Sequence, residues 1–241
     1  MAGGPFGWPW RVQLAKRTVA VYLEVGSRRV FAGAIEWPGW CRSGRDEDSA
    51  LQALVAYGPR YAAAIGPLAH ELTIPTDTSA FAVIERLEGN ATTDFGAPSI
   101  APAADERPLD SSQLERVQGL LQACWAAFDA AAEGASSAVL RKGPRGGGRE
   151  LGAIVSHVLE ADRAYISLLW RAYRKAGHAD PTVEMARLRG AILEALRSRA
   201  RGDPLPQGRR SAKVWTPRYF VRRSAWHILD HAWEIEDRAK P

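Results

Sequence analysis

Three of the five histidines in this chain have the types and spacing to hold a metal ion. His227 and His231 stand four residues apart in the stretch RRSAWHILDHAWEIEDR. Apolar residues recur there at spacings of three and four, which predicts a helix. Residues four apart share a helix face, so both imidazoles point the same way. His157 lies in a second helical stretch, GRELGAIVSHVLEADRAYISLLWRAYRKAG. Three imidazoles meeting between helices would make an open site, with three protein ligands and one position left for water or substrate. An i, i+4 histidine pair also arises by chance, and an inward histidine is more often a hydrogen-bonded core residue. The spacing by itself leaves that structural role open.

The helix carrying the pair can be laid on a wheel at about 100° per residue. With His227 at zero, His231, Glu234 and Phe220 fall within about 40° of it, and Arg218, Arg222, Glu236 and Asp237 fall about 180–280° round. The charged arc is expected to be the wet face, which puts the histidines inward. Val221, Ile228 and Ile235 flank them on one side, Tyr219, Trp226 and Trp233 on the other. Around His157 the same face carries Ala161 and Ala164, small enough to leave room beside the ring. Glu234, one turn beyond His231, is the candidate to orient a ligand or act as a base. Glu160, three residues after His157, is its rival. His70 and His178 have no partner spacing and are expected on the surface.

Bulk properties set the frame. A length of 241 residues allows one large or two modest domains. A hydrophobic content of 46% with 24% charged residues is ordinary for a globular protein. No apolar run approaches the ~20 residues of a membrane span, and the first residues lack the long apolar segment of a secretory signal. Cys41 and Cys124 are too few for a disulfide framework, which fits a reducing cytoplasm, and each reads as a small apolar residue. Residues 1–104 hold 9 Lys+Arg against 10 Asp+Glu, and residues 105–241 hold 23 against 17, so the net +5 comes from the second half.

The fold class expected is α+β, a small N-terminal α+β domain followed by an all-α bundle. Residues 1–88 carry β-rich runs at 18–25 and 30–36, joined by a turn at Gly26-Ser27. Trp37-Pro38-Gly39-Trp40 breaks the strand. Asp46-Glu47-Asp48-Ser49 starts a helix running towards Ile65, with a kink or break at Gly58-Pro59. ELTIP (71–75) and FAVIERLE (81–88) read as two more strands. Residues 89–111, with three prolines, many small residues and no periodicity, read as a linker. Residues 112–241 then hold four helices, from about Ser112 to Glu133, Gly148 to Ala176, Asp180-Pro181 to Ala200, and Thr216-Pro217 to Arg238. The last two have a cap-then-proline start.

Two resemblances extend this reading. FAGAIEWPGWCRSGRDEDSALQAL is similar to the HicB-type domain, through Pro38, Gly39, Gly44, Ala50 and Leu54, over roughly the first 65 residues. That family often comprises antitoxins with a partner toxin and a separate DNA-binding module. No such module is visible here, and the reading preferred for this part is a structural or substrate-covering domain. Residues 112–238 resemble the DinB-like superfamily of metal-binding four-helix bundles, which includes relatives of the mycothiol-dependent maleylpyruvate isomerase. The resemblance rests on one histidine in the second helix and a His-x-x-x-His pair in the fourth. It implies that His157, His227 and His231 bind a divalent metal, commonly zinc or nickel, with water completing the shell. It also implies that a low-molecular-weight thiol can serve as cosubstrate, its pKa lowered by the metal.

Ahead of the second helix, RKGPRGGGRE (141–150) is glycine-rich and leads into a helix N-terminus, which suits anion binding. Arg145 and Arg149 are the cofactor-binding candidates, for a carboxylate of the thiol. The pattern of a nucleotide-binding P-loop is missing. The expectation is therefore a divalent-metal-binding protein acting as a thiol transferase or isomerase on a small-molecule ligand. The alternative is a non-enzymatic two-domain protein that binds a partner and carries a structural or vestigial metal. Nucleic-acid binding through Arg209, Arg210, Lys213, Arg218, Arg222 and Arg223 ranks lower, because no recognition motif accompanies the charge. No membrane partner is expected, and a homodimer is left open.

Overall fold

The computed structural model describes residues 18–142, 148–170, 173–174, 180–206 and 214–239. The protein is α+β. Strands β1 (Val19–Val25), β2 (Val30–Ala34) and β3 (Cys41–Gly44) are followed by helix α1 (Glu47–Ile65), strand β4 (Phe81–Glu88) and the short helix α2 (Ala91–Phe95). Helices α3 (Ser111–Gly134), α4 (Leu151–Leu169), α5 (Pro181–Ala200) and α6 (Pro217–Ala239) complete the order. The sheet runs β3-β2-β1-β4, with antiparallel β3/β2 and β2/β1 pairs and a parallel β1/β4 pair. No described helix is long and apolar enough to cross a membrane.

Register decides what each sheet face meets. Val21 pairs with Ala34 and Leu23 with Ala32, and this face packs with Ala50, Leu54 and Tyr61 of α1 in one apolar core. The other face carries Tyr22, Glu24 and Phe31. Phe31 meets Trp226 of α6 edge-on at 5.9 Å between centroids. Both faces are therefore buried, which is why β1 and β2 read as nearly continuous apolar runs rather than a clean alternation. Gly39, in the turn after β2, has φ +95°, and a Cβ there would come within 3.1 Å of Leu229 and 3.2 Å of Ala225 of α6. A bare backbone lets the turn lie directly on the helix.

Local signals account for most element starts. Asp46 caps α1 reciprocally with Ser49, and Asp110 caps α3 with Gln113. Asp180 accepts from the Thr182 N–H and precedes Pro181, the first residue of α5. Other expectations fail for reasons of packing. Pro59 neither breaks nor ends α1. Gly58 beside it lies against Trp40 and Ile74, and Tyr61 stacks on Trp40 at 5.7 Å, contacts that offset the lost hydrogen bond. ELTIP is not a strand: Glu71 closes a 3₁₀ turn, and the backbone that follows pairs with none of the described strands. The fourth strand is instead β3, a short polar segment that gains its structure by pairing with β2. Helix α4 stops at Leu169, not Ala176, and the Leu168 carbonyl accepts from the Trp215 N–H at 2.9 Å, so the approach to α6 satisfies the end of α4.

Residues 89–111 are built into the molecule. They hold α2 and a 3₁₀ turn at Ala103–Glu106, and Thr93, Asp105 and Leu109 are buried. Glu24 of β1 organises the segment from beneath, accepting from Thr93 Oγ1 at 2.5 Å, Ser99 N at 3.0 Å and Ile100 N at 3.1 Å. Arg222 of α6, expected on a wet face, is buried. Its guanidinium forms two 2.7 Å hydrogen bonds to Asp105 and donates to the carbonyls of Ala34 and Ile35 at 2.8 Å. The wheel misplaced it because the end of β2 and the 103–106 turn cover the side of α6 opposite the histidines. Glu236 and Asp237 lie further along and pair with Arg60 of α1.

Asp162 of α4 is fully buried, about 140° round the helix from His157. Burial pushes its carboxyl up to about 7, and the charge of Arg189 and the Trp125 indole bring it only part of the way back. Arg189 is itself committed to Asp129, with hydrogen bonds of 2.6 and 2.8 Å. The unfolded chain releases this proton near pH 4 and the folded protein near 7, so a penalty grows across that interval and is complete above it. About three pKa units correspond to about 4 kcal/mol. Asp162→Asn is therefore expected to match the native protein in stability near pH 4 and exceed it by a few kcal/mol near pH 8. Chemical denaturation at both pH values checks this, and an equal difference at the two would refute it.

Candidate metal centre

The structure brings His157, His227 and His231 together. One ring nitrogen from each lies within 4.8 Å of the others. His157 Nε2 and His227 Nε2 are 3.2 Å apart, and the three ring centroids are separated by 4.7–5.1 Å. The first comes from α4, the other two from consecutive turns of α6, which pack on each other. His227 and His231 are only 6% and 8% exposed, and His157 is the most open of the three.

The donor chemistry suits a divalent ion. Burial drives the His227 pKa down to about 2, helped by the charges of His231, Arg223, His157 and Arg149. His157 is lowered for the same leading reason. Neutral imidazoles keep the lone pairs a metal needs. His231 Nδ1 donates to Glu234 Oε2 at 2.8 Å, which leaves its Nε2 as the nitrogen available to an ion. This carboxylate–histidine relation is common behind metal-ligating imidazoles. Hydrogen bonds from His231 and Arg238 hold the Glu234 carboxyl below the usual range.

Arg238, in the last turn of α6, anchors this arrangement. It donates to Glu234 Oε1 at 2.8 Å, to the Arg141 carbonyl at 2.7 Å and to the Arg149 carbonyl at 2.8 Å. It thereby ties the start of α4 to the end of α6. An acid and a base four apart on a helix were legible as a pair, but its reach to the 141–149 backbone was not.

The remaining candidates disperse. Glu160 is on the surface, paired with Arg163 at 2.7 Å. Arg149 is exposed, and its charge is felt by His157 and His227. Arg145 and His178 lie outside the described residues, as do Arg209, Arg210 and Lys213. Arg218 is engaged with the carbonyls of Arg107 and Pro108 and with Gln113, so with the buried Arg222 it does not build an open basic face. His70 is exposed. Cys41 and Cys124 are buried free thiols pushed up to about 12 by burial, which rules them out as ready nucleophiles. Comparison with protein-family models, with curated proteins and with solved structures returned no match.

Proposed function

We propose that the chain binds one divalent metal, zinc or nickel, through His157, His227 and His231, on a DinB-like bundle formed by α3–α6, and uses it in a thiol transferase or isomerase reaction. The observation that carries this reading is the convergence of three imidazole nitrogens from two helices, with Glu234 behind one of them. The ion would supply Lewis acidity at its open position, lowering the pKa of a thiol or water there. The residues of the chain do the rest. His227 stays neutral because it is buried, Glu234 sets the tautomer and angle of His231, and Arg238 holds Glu234. Arg149 stands at the mouth of α4 for an anionic end of the thiol. The HicB-like N-terminal part, joined to α6 through the Ala34 and Ile35 carbonyls that Arg222 donates to, has a substrate-covering role.

The near-dry environment of His227 and His231 is what a structural ion in a partner-binding protein would also need, so that is the competing reading. Cobalt separates the two. The protein loaded with Co²⁺ is titrated with N-acetylcysteamine, a small uncharged thiol. A sulfur-to-cobalt charge-transfer band is expected to rise and saturate. Cobalt that binds but shows no response to thiol would overturn thiol chemistry and leave a structural metal.

A further inference from the structure

One turn before His227 on α6, Arg223 borders a cavity of about 260 Å³. Its guanidinium lies 4.6 Å from the ring centroid of Trp226 and 5.3 Å from that of Tyr165. Nη1 is buried and hydrogen-bonded to nothing among the described residues. The contrast with its neighbour is direct: Arg222 has Asp105 and two carbonyls, whereas Arg223 has no carboxylate within ion-pairing distance among those residues. A buried guanidinium N–H with no partner, on a side chain that is otherwise half-buried, calls for an explanation.

The cavity around it is a built one. Tyr165, Trp215 and Tyr219 form an aromatic wall, with Trp215 at 5.1 Å from Tyr165 and 4.9 Å from Tyr219 between centroids. Tyr165 also meets the His227 ring edge-on at 5.8 Å, so one side chain touches both the cavity and the histidine cluster. The rest of the lining includes the segment that Glu24 and Asp105 hold in place. It includes Ser99, whose carbonyl accepts from Tyr219 Oη at 2.8 Å, and Glu106.

We infer that this cavity is a binding site for a small monocarboxylate with a compact aromatic body, and that Arg223 receives its carboxylate. Ring stacking covers the faces of a guanidinium and leaves its edge for the two parallel hydrogen bonds a planar carboxylate accepts. The aromatic wall suits a ring, and a dry cavity of about 150 Å³ is enough for benzene, so 260 Å³ holds a ring with substituents. Glu106 would repel a second acid. Arg223 and His227 are four apart on one face, about 6 Å along the helix axis, and Tyr165 lines the cavity while meeting the His227 ring, so the bound molecule lies beside the histidine cluster. The purpose of the site rests on the metal reading, since the bound molecule would present its other end toward that cluster. Its existence does not.

The test is equilibrium binding to the full chain, metal-free and metal-loaded, followed by Trp fluorescence and calorimetry. The probes are phenylacetate and its uncharged isostere phenylacetamide. Phenylacetate is expected to bind at least about tenfold more tightly than phenylacetamide, the discrimination of a charge-assisted pair. Arg223→Gln should remove that preference, and Arg223→Lys should restore it only in part. Circular dichroism and cobalt binding check that the variants are folded. Equal binding of the two probes by the native protein, no binding of either, or an undiminished preference in a folded Arg223→Gln would each overturn the inference. If phenylacetate binds through Arg223 in a protein that takes up no zinc, nickel or cobalt when loading is attempted, the carboxylate site stands and the metal reading falls.

Discussion

Replacing His227 by alanine is expected to eliminate stoichiometric binding of zinc, nickel or cobalt. His227 is the most buried of the three rings, with its Nε2 3.2 Å from His157 Nε2 and its ring packed against His231. Its removal leaves only two ligands, His157 and His231, and the lost affinity should exceed about 100-fold, the upper range for losing a group that merely supports a ligand. Glu234→Gln provides the graded comparison. The amide can still accept from His231 but carries no charge, so affinity is expected to fall about 10- to 100-fold without vanishing. Competition against a chromophoric chelator, with elemental analysis of the recovered protein, reads both. The native protein should also gain about 4 kcal/mol of stability at a free metal concentration 1,000 times its Kd, and the alanine variant should gain none. A native protein that retains no ion after equilibration and desalting would sink the metal reading outright.

The second large effect belongs to the joint between the two halves. Asp105→Ala is expected to destabilise the protein by about 3–5 kcal/mol, because it leaves the Arg222 charge buried with only two carbonyls to receive it. The side chains of this pair are 6% and 1% exposed, so salt screening should change the effect little. Replacing both residues by apolar side chains of similar volume should recover only part of the loss, since the native pair must itself be desolvated but the Ala34 and Ile35 carbonyls lose their donor. Urea denaturation of the single and double variants gives the comparison. A loss under about 1 kcal/mol for the single variant, the size seen for surface pairs, would mean that water reaches the joint.

The contrast between these two regions shows what was legible in the chain. Periodicity and caps determined most elements by local rules. Asp46 and Pro181 mark helix starts, and three- and four-residue spacing marks α6. Helical geometry also put His227 and His231 on one face, and the i, i+3 placement of Glu234 came with it. These are short-range consequences of backbone conformation, decided within one or two turns.

Tertiary structure alone decided the rest, because packing assigns partners across long separations. Arg222 and Arg223 are adjacent, basic and indistinguishable by composition. One meets Asp105, 117 residues away, and the other lies on aromatic rings at the edge of a cavity. Residues 89–111 lack periodicity and read as a connector, yet one buried carboxylate, Glu24, folds their backbone into a wall. Strand β3 exists only because β2 offers it an edge. The distance from His157 to the pair on α6 likewise depends on how α4 packs against α6, which no spacing along the chain encodes.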